Sequence, residues 1–327
     1  MLSYIVRRLL LAVPTIVAIS VIAFIVIELP PGDYASTYVM RQQWAGREVT
    51  PEMEEVLRHR WGLDRPAYIR YFFWIKNFVS GDFGQSHDLG VPVKDVLLSR
   101  LAGTILVTVA ALLFSWVVAF PIGLYSALRQ YSVGDYLWTS LGFLGLSIPN
   151  FLLALVLMFV SFKYLGAGIG GLFSPEFQDA PWSLAKLLDL LGHLWIPVIV
   201  VGTASTASLI RILRANLLDE LKKPYVETAR ARGLGEIKLV VKYPLRIAVN
   251  PFISSVGWVL PSLVSGAVIT AVVLDLPTAG PIFLQALRSE DMALAGAFVL
   301  LIGVMTVLGI LISDILLAIL DPRIRYE

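Results

Sequence analysis

Residues 9–27 read LLLAVPTIVAISVIAFIVI, an apolar stretch that contains no charged side chain. A helix needs roughly 20 mostly apolar residues to cross the hydrocarbon core of a bilayer. The stretch does not alternate between apolar and polar residues, as a strand of a membrane barrel would. Glu28-Leu29-Pro30-Pro31 follows it, and this sequence is not a small-residue cleavage site. We therefore expect an uncleaved transmembrane helix at the start of the chain.

Five further stretches have the same character, and Asp314 is the one acidic residue well inside any of them. In lipid, the backbone can satisfy its hydrogen bonds only in helices or closed barrels. The sequence therefore predicts an all-α integral membrane protein with six transmembrane helices. The five further spans are 101–128, 136–162, 190–210, 247–274 and 292–320.

The composition agrees with a membrane location. Of the 327 residues, 57% are hydrophobic and 15% are charged, whereas a soluble domain has about 25% charged residues. The formal net charge of +2 does not favour a nucleic-acid partner. The chain has no cysteine, and its histidines (His59, His87 and His193) match no metal-ligand spacing. We expect neither a metal nor a cofactor.

The basic residues indicate the orientation, because short cytoplasmic loops are enriched in Lys and Arg. Nine basic residues lie between Arg211 and Arg246, and others lie close to both termini. The short loops on the opposite side carry only Lys163, Lys186 and Arg288. This asymmetry predicts that the N- and C-termini are both cytoplasmic.

The spans and loops divide the chain into four parts. The first is the N-terminal transmembrane helix, 1–29, and the second is an extracytoplasmic domain, 30–100. The third is a five-helix core, 101–320, which contains a cytoplasmic loop at 211–250. The last is a short cytoplasmic tail, 321–327.

The 211–250 loop carries the signals of a short helix. Pro224 suits a first helical turn, where its missing N–H costs no hydrogen bond. Gly233 and Gly235 suit a C-terminal stop. The predicted helix has about nine residues, too few for stability in water alone, so membrane helices or a partner must hold it. Tyr225, Val226 and Ala229 are expected on one face of this helix.

Small and hydroxyl-bearing residues are frequent in the fourth and fifth spans. Each of them can be explained by close helix packing. As a group they also suit a pathway that opens and closes by helix movement. Asp314 is expected to pair with a neighbouring helix or a serine rather than to carry protons. The candidate translocation-path residues are Asn150, Ser254, Ser262 and Ser265.

Catalytic motifs are missing from the sequence. No lysine follows a glycine, so there is no Gly-x-x-x-x-Gly-Lys-Ser/Thr phosphate-binding loop. The sequence contains neither His-Glu-x-x-His nor Gly-x-Ser-x-Gly, and no catalytic residue is nominated. If transport is active, energy must enter through a partner or an ion gradient.

Several motifs along the chain carry a resemblance to a known family. The motifs outside the cytoplasmic loop include Pro31-Gly32-Asp33, Trp61-Gly62-Leu63-Asp64-Arg65-Pro66, Gly81-Asp82-Phe83-Gly84-Gln85-Ser86 and Ser147-Ile148-Pro149-Asn150-Phe151. With them, the sequence resembles the binding-protein-dependent ABC importer permeases, in the oligopeptide, dipeptide and nickel branch.

The most specific motif lies in the cytoplasmic loop. Residues 225–233, YVETARARG, are similar to the family's Glu-Ala-Ala-x-x-x-Gly signature, with Thr228 in place of the middle alanine. The resemblance implies that the short helix is a coupling helix, which docks on a cytoplasmic ATPase. The implied coupling residues are Tyr225, Glu227, Thr228, Ala229, Arg230 and Gly233.

The resemblance also implies the fold, the partners and the location. It implies a type I ABC importer permease fold in a prokaryotic inner membrane. It implies a second, related permease as heterodimer partner, two cytoplasmic ABC ATPases and an extracytoplasmic substrate-binding protein. The implied cargo is an oligopeptide or dipeptide. Oligosaccharides and nickel chelates stay open, because Tyr34 follows Pro31-Gly32-Asp33 where peptide permeases more often have proline.

Two other classes of function remain open at this point. A gradient-driven carrier would need titratable groups along its path, and Asp314 is the one candidate in the spans. A membrane-embedded enzyme would need a Ser, Asp or His that is essential for activity in the isolated chain.

Overall fold

A computed structural model describes residues 2–29, 34–44, 46, 50–86, 88–166, 170–265 and 268–320. Within these ranges the ordered elements are helical, and the only β-type pairing is a single bridge between Gln85 and Pro92. A π-helical turn covers Ser161–Leu165, and a 3₁₀ turn covers Pro175–Phe177. The α-helices are α1 (Leu2–Glu28), α2 (Tyr34–Trp44), α3 (Pro51–Trp61), α4 (Ala67–Val79), α5 (Val93–Leu128), α6 (Val133–Ser147), α7 (Asn150–Val160), α8 (Leu184–Leu221), α9 (Pro224–Ala231), α10 (Glu236–Lys242), α11 (Pro244–Ala248), α12 (Asn250–Ser265), α13 (Val268–Val273), α14 (Ala279–Arg288) and α15 (Met292–Leu320).

Four of the described helices are long and apolar enough to cross a membrane: α1, α5, α8 and α15. A fifth span is possible if α6 and α7 are counted together. The all-helical class is confirmed for the described part of the chain. The span expected at 247–274 corresponds to α12 and α13, but residues 266–267 between them lie outside the described residues. The count of six therefore stays a prediction.

The span predicted at 136–162 is not one continuous helix, because the chain bends by 101° between α6 and α7. The bend occurs at Ile148 and Pro149, which directly precede α7. Ile148 is in the extended region (φ −83°, ψ 122°), as expected for a residue before proline. Proline also lacks the N–H that would continue the helical hydrogen bonding of α6.

The chain forms two compact units. One comprises 1–10, 100–281 and 305–327, and the other comprises 11–99 and 282–304. The first, which we call the core unit, contains the helices of the 211–250 loop. The second, which we call the α4 unit, contains most of α1 and helices α2 to α4.

Close packing around α8 dominates the core unit. The Ser115 hydroxyl on α5 donates to the Gly202 carbonyl on α8, over 3.0 Å. A Cβ added at Gly123 on α5 would lie 3.0 Å from Leu213, and one at Gly145 on α6 would lie 2.7 Å from Thr203. These glycines let α5 and α6 approach α8 closely, in agreement with the packing interpretation of the small residues.

In the α4 unit, aromatic residues of α4 pack against α1. The Phe24 ring lies 5.5 Å from the Tyr71 ring and 5.8 Å from the Trp74 ring. Tyr71 Oη and Ser20 Oγ share a hydrogen bond of 2.8 Å. The Tyr68 and Phe72 side chains form an exposed face of α4. This face remains available to headgroups or to a protein partner.

The start of α15 anchors an adjoining loop of the α4 unit. The buried Asp291 carboxylate accepts hydrogen bonds from Ser86 Oγ (2.6 Å) and from the Asp88 amide (3.1 Å). Its other oxygen accepts from the Leu294 amide (3.1 Å), as an N-cap side chain does. Ser86, the last residue of the Gly81–Ser86 motif, and Asp88 are therefore tied to a helix N-terminus.

Candidate functional site

Helix α9 is the short helix expected in the cytoplasmic loop. Pro224 occupies its first turn, and the helix has eight residues rather than nine. Gly233 has a φ of +76°, a conformation that glycine adopts without steric cost. Its amide donates to the Arg230 carbonyl over 3.0 Å. The turn at Gly233 ends α9 and directs the chain towards α10.

One face of α9 is buried in the core unit. Val226 is fully buried and Ala229 is 6% exposed. Both belong to an apolar cluster that includes Leu213 and Leu217 of α8 and Leu239 of α10. This burial provides the support that a helix of eight residues needs. Displacing α9 therefore also displaces the end of α8, unless this cluster is disrupted.

The opposite face of α9 is open. Glu227, Thr228 and Arg230 are exposed, and so is Gly233 beyond the helix end. Ala229, in contrast, is buried and can only support the helix. An ATPase that docks on this face would therefore contact the first three side chains.

Tyr225 does not share the buried face, contrary to the sequence-based expectation. It is 37% exposed, and its hydroxyl donates to the Glu220 carboxylate near the end of α8. Its ring lies 6.5 Å from the Tyr243 ring. Tyr225 thus ties the start of α9 to both the preceding and the following segments.

An ion pair joins the end of α9 to the start of α10. Arg230 Nε donates to Glu236 Oε1 over 2.6 Å, and Nη2 donates to Oε2 over 3.2 Å. The hydrogen-bonded guanidinium lowers the pKa of the Glu236 carboxyl, and the carboxylate raises the pKa of Arg230. Both groups are therefore charged at neutral pH. No sequence pattern pointed to Glu220 or Glu236 as partners of α9, because both residues lie outside the predicted helix.

The candidate path residues are not brought together by any described contact. Asn150 is half-buried at the start of α7, after the bend, and Ser254 is half-buried in α12. The side chains of Ser262 and Ser265 lie outside the described residues. Ser255, which the sequence did not single out as a path residue, accepts a hydrogen bond from Trp116 Nε1 over 3.1 Å. The path stays a prediction.

Asp314 pairs with a neighbouring helix, as expected. Its carboxylate lies 2.9 Å from Arg8 Nη1 of α1. Among the described residues, no group of three or more His, Cys, Asp or Glu side chains is arranged to hold a metal ion. Within that part of the chain, the 211–250 loop is the best-defined candidate site.

Comparison with known proteins identifies the family. Residues 119–326 match the family described as "Binding-protein-dependent transport system inner membrane component", and residues 1–108 match its N-terminal counterpart. The chain belongs to this family. It is thus a multi-pass permease of an ABC importer, in agreement with the resemblance of the loop motif and against a gradient-driven carrier.

Several curated relatives of this permease match over their full length. The oligopeptide transport system permease protein AppB of Bacillus subtilis (strain 168) is 34% identical over 330 positions, covering 100% of both chains. The dipeptide transport system permease protein DppB of Escherichia coli (strain K12) is 30% identical with the same coverage. The glutathione transport system permease protein GsiC of Escherichia coli O1:K1 / APEC is also 30% identical and fully covered. The relatives are permease components rather than catalysts.

Proposed function

We propose that this permease moves peptides across a prokaryotic cell membrane, driven by ATP that separate subunits hydrolyse. The observation that carries the proposal is helix α9. Its buried face is fixed to the end of α8, and its opposite face presents Glu227, Thr228 and Arg230 to the surroundings. This arrangement suits a helix that a partner protein pushes or pulls.

The partners follow from the family and from what the chain lacks. The sequence has no phosphate-binding loop, so the nucleotide must be bound by other subunits. We propose two cytoplasmic ATPases, a binding protein on the outer side and a second, related permease that completes the path. The second permease is part of the proposal because six predicted spans in one chain are too few to enclose a peptide path alone.

The proposed cycle moves α9 and the spans together. A loaded binding protein docks outside, partly on the 30–100 segment, and the ATPases close on ATP. Their closure displaces α9, and the permease pair opens outward to accept the cargo. Hydrolysis and release of the products return the pair to the inward-facing state.

The names of the relatives support peptides as the cargo class. The three relatives above are named for oligopeptide, dipeptide and glutathione transport, and each of these cargos is a peptide. No sugar or nickel transporter is among them. A binding protein encoded separately would select which peptide is delivered.

A pull-down of the tagged permease in mild detergent tests the proposed assembly. We expect a second permease and an ATPase to copurify, and both Glu227→Gln and Gly233→Pro to reduce recovery of the ATPase. Asp219→Asn, which alters an exposed acidic residue of the same loop, is the matched control. The permease with this substitution is expected to recover as much ATPase as the native permease. Recovery of the ATPase unchanged by both α9 variants would contradict docking at this helix.

A further inference from the structure

An ion pair between a buried carboxylate and a partly buried guanidinium joins α6 to α8 inside the core unit. Arg214 Nε donates to Asp135 Oδ1 over 2.9 Å, and Arg214 Nη2 donates to Asp135 Oδ2 over 2.7 Å. Asp135 is only 2% exposed. A bidentate hydrogen-bonded pair of a planar guanidinium and a carboxylate fixes the relative orientation of the two groups as well as their distance. The pair therefore restricts sliding and rotation of α6 relative to α8 at this point.

The same carboxylate also fixes the turn between α5 and α6. Asp135 Oδ2 accepts the Tyr131 amide over 2.9 Å, at a residue whose φ is +63°. The Ser132 hydroxyl accepts the Asp135 amide over 3.2 Å and caps α6. A Cβ added at Gly134 would lie 2.5 Å from Tyr125 Oη, so α5 and α6 are in close contact here. Arg214 thus binds a rigid turn rather than a single flexible side chain.

Arg214 lies on the segment of α8 that supports the coupling helix. Leu213 and Leu217, which flank it on α8, belong to the cluster that buries Val226 of α9. Helix α8 ends at Leu221, and α9 begins three residues later. Two turns of α8 therefore hold α9 on one side and α6 on another.

We propose that Asp135 and Arg214 are positioning residues for energy coupling. They make the start of α6 move with α8 and α9, so that displacement of α9 by an ATPase reaches the α6–α7 segment. This inference rests on the proposed function of α9. It assigns a role to a pair that the cytoplasmic signature does not include. A buried ion pair is weak evidence of stabilisation in itself, so a purely stabilising role is the alternative to test.

The first test measures the ATP hydrolysed per peptide imported by the complete importer in proteoliposomes, normalised to assembled complex. One variant is Arg214→Lys, which keeps the positive charge but cannot form the bidentate interaction. The other is the double substitution Asp135→Asn with Arg214→Gln, which makes both side chains neutral. We expect both to raise the ratio several-fold. Arg211→Gln, an exposed arginine one turn earlier on α8, is the matched control and is expected to leave the ratio unchanged.

The second test measures a distance within the same complex. The natural chain has no cysteine, so spin labels can be placed at Val133→Cys on α6 and Ala231→Cys on α9, both exposed positions. With the native pair, we expect one narrow distance distribution that ATP does not change. With Arg214→Lys, we expect a broader distribution that shifts on ATP binding.

The outcomes separate this inference from the proposed function. If Arg214→Lys and the double substitution lower the yield but leave the ratio and the distance distribution unchanged, the pair only stabilises the fold and the inference is overturned. Unchanged yield, ratio and distance would overturn it equally. If the native permease binds no ATPase, the proposed function itself fails.

Discussion

At the residue scale, the proposed coupling depends on the backbone conformation of Gly233. Its φ of +76° is unfavourable for most residues with a side chain, and proline cannot adopt it because its ring holds φ near −65°. No atom would lie within 4 Å of an added Cβ, so conformation rather than space limits substitution.

We therefore expect Gly233→Pro to lower ATP-dependent transport strongly and Gly233→Asn to retain most of it, since asparagine tolerates a positive φ. The comparison is transport by membrane vesicles that contain equal amounts of each variant. Gly235, with a φ of −62°, supplies the control Gly235→Ser, for which we expect normal transport. Normal transport by Gly233→Pro would count against the role of this turn.

The sequence revealed some of these residues and not others. Pro224 and Gly233 could be interpreted from their position, because proline at a helix start and glycine beyond a helix end have direct backbone causes. The orientation of Tyr225 could not be predicted from its position in the helix, because its hydroxyl donates to Glu220, which precedes the helix. The Asp135–Arg214 pair could not be predicted from the sequence either, because the two residues are 79 positions apart.

At the element scale, close approach between helices should limit substitution at specific glycines. A Cβ added at Gly103 of α5 would lie 2.6 Å from the Pro277 carbonyl oxygen, a backbone atom that cannot rotate away. The neighbouring Thr104 hydroxyl accepts the Ala279 amide over 2.8 Å. Helix α5 is thus held firmly against the 277–279 segment.

We expect Gly103→Ala to destabilise the permease by about 1–3 kcal/mol, the usual cost of overpacking. The measurement is the thermal unfolding midpoint in detergent. Gly192→Ala is the matched control, because Gly192 is an exposed helical residue with no atom within 4 Å of an added Cβ. It should leave the midpoint unchanged or raise it slightly, because Ala in a helix adds at most about 1 kcal/mol to the free energy of unfolding. Equal midpoints for the two variants would contradict the packing described here.

The helices themselves were largely predictable, and their breaks were not. Long apolar runs identified α1, α5, α8 and α15 because their length and composition leave few other structures possible in lipid. The apolar run at 136–162 did not indicate the 101° bend at Pro149. A proline inside a span can kink a helix or end it, and neighbouring contacts decide which.

At the scale of the whole molecule, the predicted orientation can be tested with the cysteine-free natural chain. Three exposed positions serve as single labelling sites: Glu52→Cys, Asp179→Cys and Lys222→Cys. In intact spheroplasts, a membrane-impermeant maleimide should label the first two and not the third, because the 211–250 loop carries the excess of basic residues. Lysis should expose the third site. Labelling of Lys222→Cys alone in intact spheroplasts would reverse the orientation.

The central claim is that ATP hydrolysed by partner subunits drives transport through this permease. The most direct measurement is uptake of a labelled peptide into proteoliposomes that contain the permease, its copurified partners and the binding protein. The account predicts uptake that requires ATP, persists when ionophores collapse every ion gradient, and is lost in Gly233→Pro. Uptake that proceeds without ATP and stops when the gradients collapse would contradict it.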